Sequence, residues 1–204
     1  VHAPDEGNMH LLDHVASEDQ RRRFLEPLVR GEVRSAFAMT EPAPGAGADP
    51  SAITTRATRV TGGWSISGRK WFITGADGAD FFIIMARSTG EPGEAGGATM
   101  FLAPADSPGI EVVRHVGTVD RAMLGGHCEV TFTDVFVPDE QLLGGQDKLD
   151  AKMDAARNPD PNKKPRSGAL STFEATRPIV GIQAVGVAPA AFEASVKYAM
   201  ERET

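Results

Sequence analysis

Six short runs of β-branched and aromatic residues, separated by turn signals, constrain the fold of this chain most strongly. Thr61-Gly62-Gly63 and Asp77-Gly78 are typical of hairpins and tight turns. Strands at this spacing predict a small antiparallel β-barrel or sandwich. The runs are residues 54–60, 64–74, 81–88, 99–103, 110–115 and 129–137.

Helical patterns flank this β-rich part. In residues 1–32, Ser17 and Gln20 have the spacing of an N-terminal capping box, and Gly31 suits a helix end. Residues 168–204 are rich in Ala, Val and Ile on all sides, which is typical of a helix buried in a bundle. We therefore predict an α+β fold in which a β-domain, residues 33–140, lies between two incomplete helical domains.

The segment of residues 141–167 contains many Asn, Asp, Lys and Pro residues and few apolar ones. Such a segment buries too little apolar surface to offset the entropy of ordering it. We predict a flexible surface loop here. The chain also starts without a Met and ends within a helical pattern that has no stop signal. We interpret it as a fragment, with residues 168–204 as the first helix of a C-terminal helical domain.

Composition excludes several classes of function. The formal net charge is −7 and there is no basic block, which argues against nucleic acid as a partner. The single Cys128 cannot form an intramolecular disulfide, so we expect a reducing compartment, the cytoplasm. No apolar run approaches the roughly 20 residues that span a bilayer, so no membrane association is expected. The histidines and Cys128 show no metal-ligand spacing.

Two segments combine a threonine at a strand end with bulky apolar residues. The first ends in Thr40-Glu41-Pro42 and continues through a loop of small residues to Asp49, and the second is Phe72-Ile73-Thr74. Periodicity alone explains each segment as one face of a buried strand. Together they offer what a redox-active ring needs, which is a polar contact beside a dry wall. The sequence therefore predicts a flavin-binding edge.

These motifs resemble the middle domain of the acyl-CoA dehydrogenase family, and the resemblance extends over nearly the whole chain. It implies that the first strand lies along the pyrimidine side of the FAD isoalloxazine, with Thr40 hydrogen-bonded to it. It further implies that Phe72 packs on the ring and that Thr74 faces the reactive N5 edge. The cofactor-binding residues so implied are Phe37, Ala38, Met39, Thr40, Gly47, Ala48, Phe72, Ile73 and Thr74.

Two positions near these motifs need separate comment. Ala48 stands where the family commonly has Ser, so one hydroxyl donor to ligand oxygens is missing. Trp71 precedes Phe72, and strict strand alternation predicts that its side chain points to the opposite face and packs in the barrel.

A third motif, with Glu174 and Arg177, precedes Pro178. Helix chemistry alone explains the two charges as an ordinary surface pair. The resemblance instead implies that this turn lines the acyl-CoA pocket, which makes Ala48, Glu174 and Arg177 the substrate-binding residues. His127 follows two glycines, and a lone His in such a turn is expected to be structural or solvated.

The family resemblance implies a flavin-dependent acyl-CoA dehydrogenase that oxidises acyl-CoA to trans-2-enoyl-CoA, with hydride transfer to FAD N5. Electrons then pass to an electron-transfer flavoprotein, and the protein forms a homo-oligomer, a dimer or tetramer. The usual catalytic base lies beyond residue 204, so we assign no catalytic residue. Two alternatives remain open at this point: a non-catalytic β-barrel module that binds acyl-CoA or protein, and an acyl-CoA oxidase.

Overall fold

The computed structural model describes residues 4–94, 97–118, 125–158 and 168–203. The chain divides into two compact units, Val1–Pro165 and Arg166–Thr204. The larger unit contains short helices and a seven-stranded sheet, and the smaller unit contains one long helix.

Short helices precede the sheet: α1 (Asp5–Val15), α2 (Glu18–Gln20), a π-helical turn (Arg21–Leu25) and α3 (Glu26–Val29). The predicted capping box is confirmed, because the Ser17 and Gln20 side chains each bond the other residue's backbone N–H. The Gln20 amide Nε2 also donates to the carbonyls of Glu140 and Leu142, both at 2.8 Å. These bonds attach the helical segment to the chain that leaves the last strand.

The sheet contains β1 (Ser35–Ala38), β2 (Arg56–Val60), β3 (Gly63–Thr74), β4 (Phe81–Arg87), β5 (Ala98–Pro104), β6 (Ile110–His115) and β7 (His127–Pro138). The strand order is β1-β4-β2-β3-β7-β6, and β5 pairs with β4 off this path. The six predicted strands are confirmed. They lie within two or three residues of the expected positions.

The sheet is mixed rather than purely antiparallel. Strand β4 runs parallel to both β1 and β2, while its pairing with β5 and the remaining pairs are antiparallel. The turn signal Thr61-Gly62-Gly63 correctly predicts a hairpin between β2 and β3. The β1–β4 pair joins residues about 46 positions apart, as in Ser35 with Phe81, and no local turn signal reports such a pairing.

All seven residues of β4 are buried, because both faces of this strand are covered. Phe82, Ile84 and Ala86 belong to the main core of the sheet. Phe81 and Ile83 point the other way, into a second cluster with the helical segment. In that cluster they meet side chains of α1 and α3, which include Leu12 and Leu28. A strand buried on both faces has the continuous apolar sequence seen here.

The prediction of a flexible loop over residues 141–167 is wrong for residues 145–157, which form a helix. The structure contains a 3₁₀ turn (Asp139–Gln141) and then α4 (Gly145–Arg157). Leu149 is buried in the main core, Met153 packs against it, and the Lys148 ammonium donates to the Val15 carbonyl at 2.8 Å. These contacts anchor the helix although its overall composition is polar. Residues 159–167 lie outside the described residues.

The smaller unit contains α5 (Gly168–Glu201), which continues through Pro178 and Pro189. Its segment Ser171–Glu201 has a mean hydropathy of 1.5 over its most apolar window and is long enough to cross a membrane. The expectation that no apolar run approaches such a length is therefore wrong. Core helices of soluble proteins satisfy the same criterion, so the length and composition of α5 do not by themselves indicate a membrane span.

Candidate functional site

The chain that follows β1 joins β3 at an irregular point of the sheet. The Trp71 backbone N–H donates to the Thr40 carbonyl at 3.0 Å, and the Thr40 hydroxyl donates to the Trp71 carbonyl at 2.5 Å. The β3–β7 register shifts between Lys70 and Ile73, which marks a bulge. The two predicted flavin segments are thus brought side by side.

Phe72 occupies this bulge with a φ of +53°, a left-handed conformation that is strained for an aromatic residue. Its side chain is 44% exposed, and its ring centroid lies 4.9 Å from that of the half-buried Trp71. The predicted packing of Trp71 inside the barrel is wrong, because the bulge interrupts the strand alternation on which it depended. The bulge instead exposes the ring of Phe72, which follows the residue bonded to Thr40.

The predicted cofactor-binding residues divide into exposed and buried groups. Phe72, Gly47 and Ala48 are exposed, and Thr40 and Thr74 are half-buried. Phe37 packs towards the helical cluster, and its neighbours Ala38 and Met39 and the distant Ile73 are buried. The side chains of these last four residues therefore pack behind the exposed edge formed by Thr40, Phe72 and Thr74.

A buried ion pair supports this edge from inside the protein. The Lys70 ammonium lies 2.9 Å from Glu41 Oε1 and also donates to the Met39 carbonyl at 2.9 Å. Both charged side chains are at most 1% exposed. Glu41 accepts further hydrogen bonds from the Thr54 N–H and hydroxyl, at 2.7 and 2.6 Å, and from the Thr55 N–H at 2.9 Å. One carboxylate thus connects three separate chain segments.

Burial and charge act in opposite directions on this pair. Burial alone would raise the pKa of Glu41, but the Lys70 charge and the hydrogen bonds from Thr54 and Thr55 outweigh it and lower the pKa to about 2. Burial lowers the pKa of Lys70 to about 8, although the Glu41 charge opposes this change. Both groups are therefore charged at neutral pH.

The small-residue loop is built around the same carboxylate. The Ala46 N–H donates to Glu41 Oε2 at 3.4 Å, and a Cβ added to Gly45 would lie 2.3 Å from that oxygen. Gly45 therefore allows the loop to fold tightly over Glu41. Asp49 ends the loop by capping a 3₁₀ turn (Pro50–Ala52), because its Oδ1 accepts from the Ser51 N–H at 2.8 Å.

At the far end of β3, the Thr74 hydroxyl oxygen lies 3.0 Å from His127 Nδ1. Thr40 is bonded to Trp71, and Thr74 follows Trp71 by three residues. At a strand rise of about 3.3 Å per residue, Thr74 therefore lies at most roughly 10 Å from Trp71. The two threonines thus mark the two ends of the exposed edge, with Phe72 between them.

The predicted substrate residues are divided between the two units. Ala48 is exposed in the larger unit, whereas Glu174 and Arg177 are exposed on α5 in the smaller unit. The Arg177 guanidinium lies over the Phe173 ring, 5.5 Å from its centroid. Their roles in substrate binding stay predictions.

Two features were missed by the sequence reasoning. Lys70 has the same strand parity as Trp64 and Ile66, which face the core, and a charge at such a position needs a buried partner. The position of Lys70 on the core-facing side of β3 could therefore have indicated a buried acidic partner, which the structure shows to be Glu41. The His127 contact depends on the pairing of Thr74 with His127 across β3 and β7, and no local pattern reports that register.

Comparison with known proteins identifies the class. The family model for the acyl-CoA dehydrogenase middle domain matches residues 36–135, which include β1 and nearly all of the remaining sheet. The chain belongs to the acyl-CoA dehydrogenase family.

Two curated relatives show how much of a family member is present. The chain is 40% identical over 146 residues to the probable acyl-CoA dehydrogenase FadE2 of Mycobacterium tuberculosis, covering 70% of this chain and 35% of the relative. It is 37% identical over 193 residues to the benzylmalonyl-CoA dehydrogenase of Aromatoleum aromaticum, covering 95% of this chain and 45% of that protein. The chain thus spans less than half the length of these relatives.

Solved structures support the same assignment. A glutaryl-coenzyme A dehydrogenase in complex with glutaryl-CoA superposes with a TM-score of 0.75 at 25% identity, covering 97% of this chain and 45% of that one. The FAD complex of PigA gives a TM-score of 0.69 at 26% identity, covering 98% of this chain and 50% of that one. These neighbours and the family support the prediction of FAD as the cofactor.

Proposed function

We propose that the protein holds FAD at the edge formed by Thr40, Phe72 and Thr74 and oxidises an acyl-CoA thioester to the trans-2-enoyl-CoA. The observation that carries this proposal is Phe72, whose ring is exposed from a strained backbone position between two threonines. Strain of this kind persists at binding sites because the surrounding structure enforces it. A planar ring system gains a stacking surface and polar contacts at such an edge, so the residues present fit FAD.

FAD supplies the hydride acceptor when it is bound. The chain's own residues bind and orient it. Because the Thr40 hydroxyl already donates its one proton to the Trp71 carbonyl, it can only accept from a ligand. Thr40 therefore selects an N–H group on the pyrimidine side, while Phe72 excludes water from the ring beside it.

The substrate proposal rests on the relatives and on the family motif in α5. Benzylmalonyl-CoA dehydrogenase and the glutaryl-CoA complex both carry a coenzyme A thioester in their names. We assign Ala48, Glu174 and Arg177 to substrate binding. The base that removes the α-proton is assigned to a part of the protein outside these 204 residues. In such a reaction, donors near the thioester oxygen stabilise the developing enolate.

The remaining partners follow from the same family membership. We propose that electrons leave to an electron-transfer flavoprotein and that the protein works as a homo-oligomer, a dimer or tetramer. We also propose that it acts in the cytoplasm, because the buried Cys128 is the only cysteine in the sequence. Burial raises the pKa of Cys128, which keeps the thiol protonated at neutral pH.

The test is an absorbance spectrum of the purified full-length protein, recorded anaerobically before and after addition of a panel of acyl-CoA thioesters. We expect oxidised flavin bands that bleach with the preferred thioester. The 204-residue chain alone is expected to bind FAD weakly and to be nearly inactive. A full-length protein without flavin would overturn the proposal. Release of hydrogen peroxide in air at the rate of turnover would instead identify an acyl-CoA oxidase.

A further inference from the structure

Thr74 and His127 form a side-chain pair at the end of β3. The Thr74 hydroxyl oxygen lies 3.0 Å from His127 Nδ1, and the two residues face each other directly in the β3–β7 register. Both side chains are half-buried, so water competes little with this hydrogen bond. From the sequence alone, His127 was expected to be structural or solvated, with no relation to Thr74.

The backbone holds His127 in a defined position. Gly125 and Gly126 both have positive φ values, +84° and +57°. The Gly126 carbonyl accepts from the Gly75 N–H at 2.8 Å, immediately after Thr74. A Cβ added to Gly126 would lie 2.3 Å from His115 Nδ1. Only glycine allows this turn, and the turn fixes His127 opposite Thr74.

The hydrogen-bond inventory of a threonine limits what this pair can do. A hydroxyl has one proton to donate and two lone pairs that accept. If Thr74 donates to His127, it offers a ligand only lone pairs. If His127 Nδ1 carries the proton and donates, the Thr74 proton is left for a ligand. The neutral imidazole has one protonated nitrogen, so the tautomer of His127 decides between these two states.

We propose that His127 is a positioning residue whose Nδ1–H donates to the Thr74 hydroxyl and thereby turns the Thr74 proton toward the ring bound at the exposed edge. This inference rests on the proposed function. Thr74 is the residue that contacts the ring, and His127 acts only through it. The pair complements Thr40 at the other end of the edge, which accepts, so the edge presents one acceptor and one donor.

The experiment uses the full-length protein with bound FAD and four variants. His127→Leu removes the hydrogen bond, and His127→Asn restores an amide near the position of Nδ1. Thr74→Val removes the hydroxyl at constant shape, and the double variant combines it with His127→Leu. The readouts are the reduction potential of the bound flavin, the anaerobic rate of flavin reduction and the FAD dissociation constant.

We expect His127→Leu and Thr74→Val each to slow flavin reduction by about tenfold, the size of one lost hydrogen bond. Both are expected to shift the potential in the same direction. His127→Asn should stay within about twofold of the unmodified protein because it keeps the donor. The double variant should be no slower than Thr74→Val alone, since the histidine acts through the threonine. If His127→Leu fails to fold, His127→Gln tests the same loss, because its longer side chain displaces the amide from the Nδ1 position.

His115→Asn is the matched control, because His115 lies at the same end of the sheet and bonds Asp77 rather than Thr74. Equal slowing by His115→Asn and His127→Leu would overturn the inference, as would an unchanged potential and rate in His127→Leu. In either case a flavin that acyl-CoA still bleaches leaves the proposed function standing. A full-length protein that lacks FAD would overturn both.

Discussion

Arg69 and Lys70 are neighbours in β3, and each forms an ion pair with a buried glutamate, but the two cations lie in opposite environments. Lys70 and Glu41 are buried from solvent. Arg69 and Arg114 are 55% and 56% exposed, and both bind the Glu129 carboxylate between them. Strand alternation causes this contrast, because successive side chains of β3 point to opposite faces.

The contrast shows that similar ion pairs serve different purposes. The Arg69–Glu129–Arg114 group connects three adjacent strands, and water reaches both guanidinium groups although the Glu129 carboxylate is buried. The Glu41–Lys70 pair connects the end of the β1 segment, the residues around Thr54 and β3, and so it supports the exposed edge from inside the protein. Buried charges carry a large desolvation cost, which is offset only when every donor and acceptor is satisfied.

The largest expected effect comes from breaking the buried pair. Lys70→Met leaves the Glu41 carboxylate buried without a cation, and we expect a loss of about 3–5 kcal/mol in the free energy of unfolding. Urea denaturation measures it. Arg69→Met is the matched control and should cost much less. Equal losses at the two positions would mean that the difference in burial has no energetic consequence.

The next largest effect is expected when the Glu41 carboxylate of the buried pair is titrated with acid. The folded-state pKa of Glu41, about 2, lies below the ordinary value of 4.5, so its stabilisation is complete above about pH 4.5 and is lost as the pH falls toward 2. We expect the difference in unfolding free energy between the unmodified protein and Glu41→Gln to shrink over this range. Urea midpoints at pH 6, 4 and 3 test this. A constant difference would show that the Glu41 charge is not the stabilising feature.

The smallest effect on stability is expected at Phe72, two residues after Lys70. Phe72→Gly relieves the strain of a φ of +53° and removes an exposed side chain. Because glycine loses more backbone entropy on folding, we expect a net change within about 1 kcal/mol. FAD affinity, measured by fluorescence titration of the full-length protein, should nevertheless fall by about tenfold. A large loss of stability with unchanged FAD affinity would assign Phe72 to the fold instead of the site.

Sequence patterns were most informative where the relevant interactions are local. The turn at Gly62 and the alternation in β3 predicted the β2–β3 hairpin, and Ser17 with Gln20 predicted the helix cap. The parallel β1–β4 pair was not predicted, because it depends on contacts between distant segments. Helix α4 was missed because, among its described side chains, the apolar ones that pack on the core are Leu149 and Met153, too few for a compositional signal.

The geometry of the edge that we propose as the flavin site could be predicted only in part, for the same reason. Thr40, Phe72 and Thr74 form recognisable motifs because each stands at a strand end. The exposure of Phe72 depends on a bulge that alternation does not foresee, and the partners of Lys70 and Thr74 come from segments 29 and 53 residues away.

The Gln20 amide has a consequence for the order of events during synthesis. Its two hydrogen bonds join residues 120 and 122 positions apart, to the carbonyls of Glu140 and Leu142. The first helices emerge from the ribosome before the strands they pack on, yet they cannot complete these contacts until residue 142 has emerged. At about 5–20 residues translated per second, the roughly 120 intervening residues take about 6–24 s, and the Gln20 amide waits that long for these acceptors.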